Sequence, residues 1–213
     1  MVVKRFPPVE SADEDGLIAI GGDLDPESVL LAYQSGIFPW PIDEYTLAWF
    51  APPERAVIFL DDFHVSRKLK QLLKRNVFSL RRNGNFQGVM ERCAELKNRG
   101  GQDGTWITPA IIDAYIELHR RGFCHSFEAY MHDELVGGLY GIQIGRFFAA
   151  ESSFFRVPNA SKAAMCALAD YLREEDIKWF DCQVLTPFSE SFGAREIARD
   201  GYMRLLANAL ADY

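Results

Sequence analysis

A carboxylate and an amide are separated by a single residue in the segment Asp181-Cys182-Gln183. The surrounding letters, KWFDCQVL, are typical of a β-strand, in which side chains two residues apart project from the same face. The two side chains could therefore act together in acid–base chemistry, with Asp181 orienting Gln183. A buried polar pair that only satisfies backbone groups is the alternative interpretation.

A second carboxylate, Glu151, interrupts the apolar segment AAESSFF of another predicted strand. Burying an ionised carboxylate is costly without a cationic partner, so we expect this side chain to meet a positive charge. A bound substrate could supply that charge. A surface-facing or internally paired glutamate is the alternative.

The cysteines predict neither disulfides nor a metal site. They show no C-x-x-C spacing and lie in apolar or periodic segments at Cys93, Cys124, Cys166 and Cys182. We therefore expect reduced thiols and no cofactor. Cys182 has no basic neighbour in the sequence that would activate it as a nucleophile, so we interpret it as a packing residue.

The composition predicts a protein of the cytoplasm. Its 213 residues, 48% of them apolar, suffice for one sizeable domain or for a small domain joined to a larger one. No apolar stretch reaches the roughly 18 residues that cross a bilayer, and the N-terminus lacks the apolar region of a secretory signal. We expect no association with a membrane.

Positive charge is concentrated in one part of a chain whose formal net charge is −7. Residues 63–90 contain seven Lys or Arg residues and no Asp or Glu. The segment VSRKLKQLLKR within them has the periodicity of an amphipathic helix, and mutual repulsion among its cations favours a bound polyanion. A solvated helix is the alternative. The cations of this helix are Arg67, Lys68, Lys70, Lys74 and Arg75.

The elements that must position these residues follow an α+β order. A helix capped near Asp25 and the strand RAVIFL precede the basic helix. Further helices follow, then an antiparallel run of strands with a turn at Asp133-Glu134, another helix, and the strand that carries Asp181. Proline-rich and tryptophan-rich segments before RAVIFL indicate a boundary. With a break near Asp61-Asp62, they predict a small N-terminal part, residues 1–62, and a larger part, residues 63–213.

The order of elements in the larger domain resembles a GNAT acyltransferase core. In that fold a glycine-rich turn between a strand and a helix usually holds the pyrophosphate of acetyl-CoA. The corresponding turn here, residues 156–161, has no glycine and contains a proline, which removes a hydrogen-bond donor. An acetyl-CoA enzyme is therefore disfavoured, and acyl transfer would use a donor held by other means.

Longer blocks resemble the bacterial leucyl/phenylalanyl-tRNA–protein transferases over almost the whole chain. These blocks are GLIAIGGDLDPESVLLAYQSGIFPW, DGTWIT, HSFEAY, DELVGGLYG, AESSFF, NASKAA and DCQVL. The resemblance implies a small N-terminal α/β domain followed by a GNAT-like acyltransferase domain, no metal, and aminoacyl-tRNA as the acyl donor. It also implies transfer of leucine or phenylalanine to the N-terminal amine of proteins beginning with Arg or Lys, which marks them for N-end rule degradation.

The same resemblance assigns roles to individual residues. It makes Asp181, Gln183 and Glu151 catalytic, the first two as a relay from the attacking amine; a route assisted by the tRNA is the alternative. It places the donor among Trp49, Phe50, Trp106, Leu139, Phe148, Ser153 and Leu168, although either tryptophan could instead belong to the core. Ser153 and Leu168 stand where Met and Phe are common in the family, which leaves the preference between leucine and phenylalanine open.

Two rival functions come from other classes. A non-catalytic module that binds tRNA or peptides could have kept the fold, but the retained carboxylates and amide argue against it. A small-molecule N-acyltransferase that uses acyl-CoA is disfavoured by the glycine-free turn at residues 156–161.

The basic helix yields a first prediction. Replacing Arg67, Lys70 and Lys74 together by Ala should weaken binding of leucyl-tRNA and phenylalanyl-tRNA alike, because phosphate contacts carry no base information. The slope of log affinity against log salt should fall by about one for each lost contact, with the chemical step nearly unchanged at saturation. Binding titrations over a salt series measure both quantities. Unchanged affinity and slope would identify this face as solvated surface only.

Overall fold

The protein is described by a computed structural model that covers residues 2–43, 45–95, 98–99, 102–103 and 105–211. The helices are α1 (Pro26–Gln34), α2 (Arg67–Lys74), α3 (Phe86–Ala94), α4 (Pro109–Arg120), α5 (Ala160–Glu174), α6 (Pro187–Glu190) and α7 (Arg199–Ala209). The strands are β1 (Leu17–Ile20), β2 (Phe38–Pro39), β3 (Ala48–Phe50), β4 (Glu54–Phe59), β5 (Ser79–Arg82), β6 (Asn98–Arg99), β7 (Gln102–Asp103), β8 (Cys124–Met131), β9 (Glu134–Ile144), β10 (Phe147–Phe155), β11 (Trp179–Gln183) and β12 (Arg195–Ala198).

Seven strands form one mixed sheet in the order β12-β4-β11-β10-β9-β8-β5. Neighbouring strands are antiparallel except β10 and β11, which run parallel. A parallel pair requires a long crossover, and the 15-residue helix α5 provides it. The predicted α+β class is confirmed.

The large sheet lies between two helical layers. Helices α3 and α4 share one apolar cluster with α1 and with a small sheet of order β1-β3-β2. Helices α5 and α2 contribute to a second cluster on the opposite face. Strand alternation separates the two: in β9, Leu139 belongs to the second cluster and Tyr140 to the first. Within the described ranges, no helix is long and apolar enough to cross a membrane.

The small sheet and the large sheet are joined through β4. This strand falls inside the predicted N-terminal domain, residues 1–62, and it pairs with β11 and β12 of the large sheet. The apolar cluster is also continuous between Phe38 of the small sheet and Ile142 of the large one. The division between residues 62 and 63 stays a prediction.

Local signals fix several boundaries. Asp25 caps α1, because its carboxylate accepts the backbone N–H of Glu27 at 2.9 Å. The predicted amphipathic α2 is confirmed: Leu69 is buried, and the five cations of this segment are exposed. The turn between β8 and β9 lies one residue before the predicted position, because His132 and Asp133 both have positive φ, as a two-residue hairpin turn requires.

Gly137 yields a stability prediction, because β9 passes directly under the first turn of α5. A Cβ at Gly137 would lie 2.5 Å from the Cβ of Ala160, so Gly137→Ala should destabilise the fold by about 1–3 kcal/mol through overpacking. In the control Gly201→Ala, the atom nearest to the new Cβ belongs to Arg204 and is 3.9 Å away. Because this position lies within a helix, the substitution should raise the free energy of unfolding by about 0.5–1 kcal/mol. Urea unfolding measures both, and equal stabilities would contradict the prediction.

Candidate active site

A cavity of about 530 Å³ opens where β10 and β11 separate. The two strands pair at Ala149 and Asp181. The residues that follow this pair on each strand line the cavity and do not pair with each other. From β10 these are Ala150, Glu151, Ser152 and Ser153, and from β11 and the turn after it they are Cys182, Gln183 and Val184. The predicted residues Glu151 and Gln183 thus meet at one opening.

A β-bulge accompanies the separation on each strand. On β10, Ala150 and Ser152 are paired with consecutive residues of β9, which leaves Glu151 as the extra residue. On β11, Asp181 and Gln183 are paired with consecutive residues of β4. Bulges bend a strand and redirect side chains, and they are common beside active sites. Sequence alternation alone does not reveal them.

Gln183 lies at the centre of a strained turn. Its φ is +56°, and the N–H of Val184 donates to the carbonyl oxygen of Cys182 at 2.7 Å, which closes a three-residue γ-turn. The form with positive φ at its central residue is rare and strained, particularly for a residue other than glycine. The turn directs the Gln183 amide to Glu151, whose Oε1 accepts a hydrogen bond from Nε2 at 2.8 Å.

Glu151 is half-buried and belongs to a chain of hydrogen bonds. Its Oε1 also accepts the hydroxyl of Tyr33 at 2.7 Å, and Tyr33 is 2.7 Å from the hydroxyl of Tyr115. Because Tyr33 gives its single hydrogen to Glu151, Tyr115 donates to Tyr33. Burial raises the pKa of Glu151 to about 8, although hydrogen bonds from Tyr33 and Gln183 favour the ionised form. Glu151 therefore titrates close to neutral pH.

Asp181 lies behind the cavity wall and is fully buried. Its Oδ2 accepts Arg55 Nη2 at 2.7 Å and the Tyr202 hydroxyl at 2.9 Å. Its Oδ1 accepts Arg55 Nε at 3.2 Å and the backbone N–H of Gln183 at 2.8 Å. Asp181 thus contacts the backbone of Gln183, and its charge is balanced by Arg55. The relay through the Gln183 side chain stays a prediction.

Aromatic and apolar side chains form the rest of the wall. Trp40 and Trp106 stack with their ring centroids 5.4 Å apart and an interplanar angle of 23°. Of the predicted binding residues, Trp106, Leu139 and Ser153 line the cavity. Sequence reasoning missed Trp40, Met165 and Phe188, which also line it. The proline on each side of Trp40 suggested a domain boundary, and nothing local indicates a binding surface.

The other predicted binding residues lie outside the lining of this cavity. Trp49 is buried in the small sheet, where its indole N–H donates to the carbonyl oxygen of Gly21 at 2.8 Å. Phe50 packs at the same sheet, with its ring 6.4 Å from that of Phe38. Phe148 and Leu168 are fully buried in the apolar cluster beneath α5. Their roles in substrate binding stay predictions.

The thiols show no sign of activation. Burial raises the pKa of Cys166 to about 12 and raises that of Cys182, which lines the cavity, well above its usual range. Nucleophilic thiols have lowered pKa values, so this direction opposes catalysis by Cys182. In the described part of the chain, no three His, Cys, Asp or Glu side chains are grouped to hold a metal ion.

Charge is divided along the chain. Residues 6–54, which include the small sheet, contain ten Asp or Glu residues and no Lys or Arg. Residues 63–90, which include α2, show the opposite bias. The two segments therefore carry an excess of charge of opposite sign.

Comparison with known proteins identifies the family. The family model for the leucyl/phenylalanyl-tRNA protein transferase matches residues 57–207, and the model for its N-terminal domain matches residues 22–53. The chain belongs to the leucyl/phenylalanyl-tRNA protein transferase family. The leucyl/phenylalanyl-tRNA–protein transferase of Flavobacterium johnsoniae is 48% identical over 201 residues, which cover 94% of each chain. That of Syntrophobacter fumaroxidans is 44% identical and covers 97% of this chain and 88% of its own.

The fold of this family member also resembles a solved structure of low sequence identity. The crystal structure of FemX matches with a TM-score of 0.51 and 11% identity, and the match covers 84% of this chain and 70% of that one. At this identity the likeness concerns the fold alone.

Both parts of the chain that match family models contribute to the cavity of this transferase family member. Trp40 lies within residues 22–53, and Glu151 lies within residues 57–207.

Glu151 yields a prediction for stability against pH. Folding raises the pKa of Glu151 from 4.5 to about 8, so this carboxyl group loses its proton at a lower pH in the unfolded chain than in the folded chain. The Glu151 contribution to the free energy of unfolding should therefore decrease from about pH 4.5 to about pH 8, by up to about 1.4 kcal/mol per pH unit. Glu151→Gln removes this titration and keeps an oxygen that accepts from Tyr33.

The measurement compares urea unfolding of the parent and of Glu151→Gln at several pH values between 4 and 9, as a difference between the two proteins so that other titrations cancel. The variant should gain stability relative to the parent as pH rises. A difference that is independent of pH would contradict the raised pKa.

Proposed function

We propose that this chain transfers leucine or phenylalanine from charged tRNA to the N-terminal amine of proteins that begin with Arg or Lys. One observation carries the proposal: Glu151 and the Gln183 amide, 2.8 Å apart, face a cavity between separated strands that is bordered by a stacked tryptophan pair. The transfer marks the acceptor for N-end rule degradation. Charged tRNA occurs in the cytoplasm, which is the proposed compartment.

The reaction exchanges an ester for an amide. The uncharged amine nitrogen bonds to the carbonyl carbon of the aminoacyl ester, and the bond from that carbon to the ribose oxygen breaks. The amine loses a proton, and the ribose oxygen gains one. Glu151 can receive the first and supply the second, because a group with a pKa of about 8 exchanges protons readily near neutral pH. The raised pKa supports a role for Glu151 as the catalytic acid and base.

Gln183 serves as an electrostatic partner of the reacting atoms. One N–H of its amide is directed to Glu151, and the second can donate to the oxyanion of the tetrahedral intermediate. Its backbone strain is consistent with such a role, since strained residues concentrate at functional sites. An ester is already reactive, so positioning the amine against it supplies much of the acceleration.

The donor occupies the apolar side of the cavity. Trp40 and Trp106 offer stacking surfaces for the terminal adenosine, as single-stranded ends are commonly held by aromatic side chains. Leu139, Met165 and Ser153 border a socket for the transferred side chain. The buried Phe148 and Leu168 shape this socket from behind. Trp49 and Phe50 support the small sheet from which Trp40 extends.

The tRNA acceptor stem lies along α2, where Arg67, Lys70 and Lys74 are exposed on one side and Lys68 and Arg75 flank them.

The larger domain is GNAT-like. Support for that fold comes from the parallel pair β10 and β11, the crossover helix α5 and the separation of the strands at the cavity. The proposed division remains residues 1–62 and 63–213, with β4 as the strand that joins the two parts.

The proposed function is tested with the purified chain, radiolabelled leucyl-tRNA or phenylalanyl-tRNA, and a peptide that begins with Arg. Labelled peptide should form, and the same peptide with an acetylated N-terminus should remain unlabelled. Acetyl-CoA replaces the tRNA in a parallel reaction. Acetylation without aminoacyl transfer would favour a small-molecule acyltransferase, and tRNA binding without transfer would favour a binding module.

Gln183→Ala yields a prediction for the chemical step. The variant should lower turnover by more than about tenfold, which corresponds to roughly 1.4 kcal/mol of transition-state stabilisation, because it removes a donor to the oxyanion. Gln143→Ala is the matched control, since Gln143 accepts the hydroxyl of Tyr171 away from the cavity. Single-turnover transfer rates compare the variants. Parental rates for folded Gln183→Ala would exclude the amide from catalysis.

A further inference from the structure

We infer that Arg55 is a positioning residue that aligns the two sides of the cavity and acts through Asp181. The inference rests on the proposed function. Arg55 is 2% exposed and lies outside the lining of the cavity, so its effect on the reaction must pass through other residues. Its guanidinium contacts the small sheet on one side and β11 on the other.

The first set of contacts reaches the segment that leads to Trp40. Arg55 Nη1 donates to the carbonyl oxygen of Gly36 at 2.8 Å, and the guanidinium carbon lies 4.7 Å from the centre of the Phe38 ring. Gly36 has a φ of +78° and ends the turn after α1. Trp40 follows only four residues later, so Arg55 fixes the origin of the segment that carries this stacking surface.

The second set of contacts reaches Gln183. Arg55 and Tyr202 together hold both oxygens of Asp181, and the ring of Tyr202 also lies 4.3 Å from the Arg55 guanidinium carbon. Thus oriented, Asp181 Oδ1 accepts the N–H of Gln183 at 2.8 Å. A turn with positive φ relaxes unless its surroundings hold it, and this hydrogen bond is one such restraint. Asp181 therefore maintains the turn that directs the Gln183 amide to Glu151.

This assignment gives Asp181 a different task from a relay. A relay requires the negative charge of Asp181, whereas a restraint requires only an oxygen that accepts the Gln183 N–H. The two can be separated by a neutral pair. In Arg55→Gln with Asp181→Asn, the new amide oxygen can accept the N–H of Gln183, and the remaining amide groups can satisfy each other and Tyr202.

Each single substitution should lower the single-turnover transfer rate by about tenfold or more, because it leaves a buried charge without its partner. The double variant should transfer at least about threefold faster than Asp181→Asn, because it restores the acceptor for Gln183 without an unpaired charge, although it lacks the Arg55 hydrogen bond to Gly36. A folded double variant that is as slow as Asp181→Asn would overturn the assignment and favour a role for the charge itself.

A milder substitution covers the case in which the charge variants do not fold. Tyr202→Phe removes one donor to Asp181 at a position outside the lining of the cavity, and it should lower the transfer rate by about threefold to tenfold. The matched control Tyr171→Phe, which loses a hydrogen bond to Gln143, should retain the parental rate. Equal rates for the two variants would overturn the assignment.

A readout independent of activity separates this inference from the proposed function. Hydrogen exchange of the Gln183 backbone amide, followed by NMR in the full chain, should accelerate by about tenfold or more in Tyr202→Phe and not in Tyr171→Phe. Accelerated exchange in a chain without transferase activity would support the restraint and reject the proposed function. Unchanged exchange together with normal transfer would reject the restraint alone.

Discussion

Beyond Ala149 and Asp181, the parallel strands β10 and β11 stop bonding to each other, and the rest of the site depends on that separation. Backbone groups at a sheet edge need partners, and a cleft in the middle of a sheet exposes two such edges. Each strand is held on its outer side, by β9 and by β4, and α5 joins the two. The bulges occur where each strand stays paired with its outer neighbour while it separates from the other strand of the parallel pair. The cavity is thus a consequence of sheet topology as much as of side chains.

The two carboxylates of the site have opposite electrostatic surroundings. Asp181 is fully buried and accepts hydrogen bonds from a guanidinium, a hydroxyl and a backbone N–H. Glu151 receives hydrogen bonds from neutral groups in a poorly solvated position, and its pKa rises to about 8. Two residues of the same chemical type thus differ in their surroundings: one is paired with a guanidinium, and the other has a pKa raised by burial.

Local sequence patterns were sufficient for much of the fold and for part of the site. Capping residues and periodicity located α1 and α2, and the residue types of Glu151 and Gln183 indicated chemistry. The positive φ of Gln183 and the bulges were beyond such reasoning, because they arise from the parting of two strands that are distant in sequence. The sequence pattern indicated only that Arg55 begins an ordinary strand, RAVIFL. Its importance comes from contacts with residues 19 and 126 positions away.

Charge is divided unevenly along the chain: the segment that includes the small sheet, residues 6–54, is acidic, and the segment that includes α2, residues 63–90, is basic. A polyanion approaching by diffusion is attracted to the basic segment before any contact forms, whereas a positively charged group is attracted to the acidic segment. Such attraction raises the productive fraction of collisions and fades as added ions shorten the Debye length, about 8 Å at physiological ionic strength. Two ligands of opposite charge would therefore be attracted to different segments of the chain and would not compete for the same one.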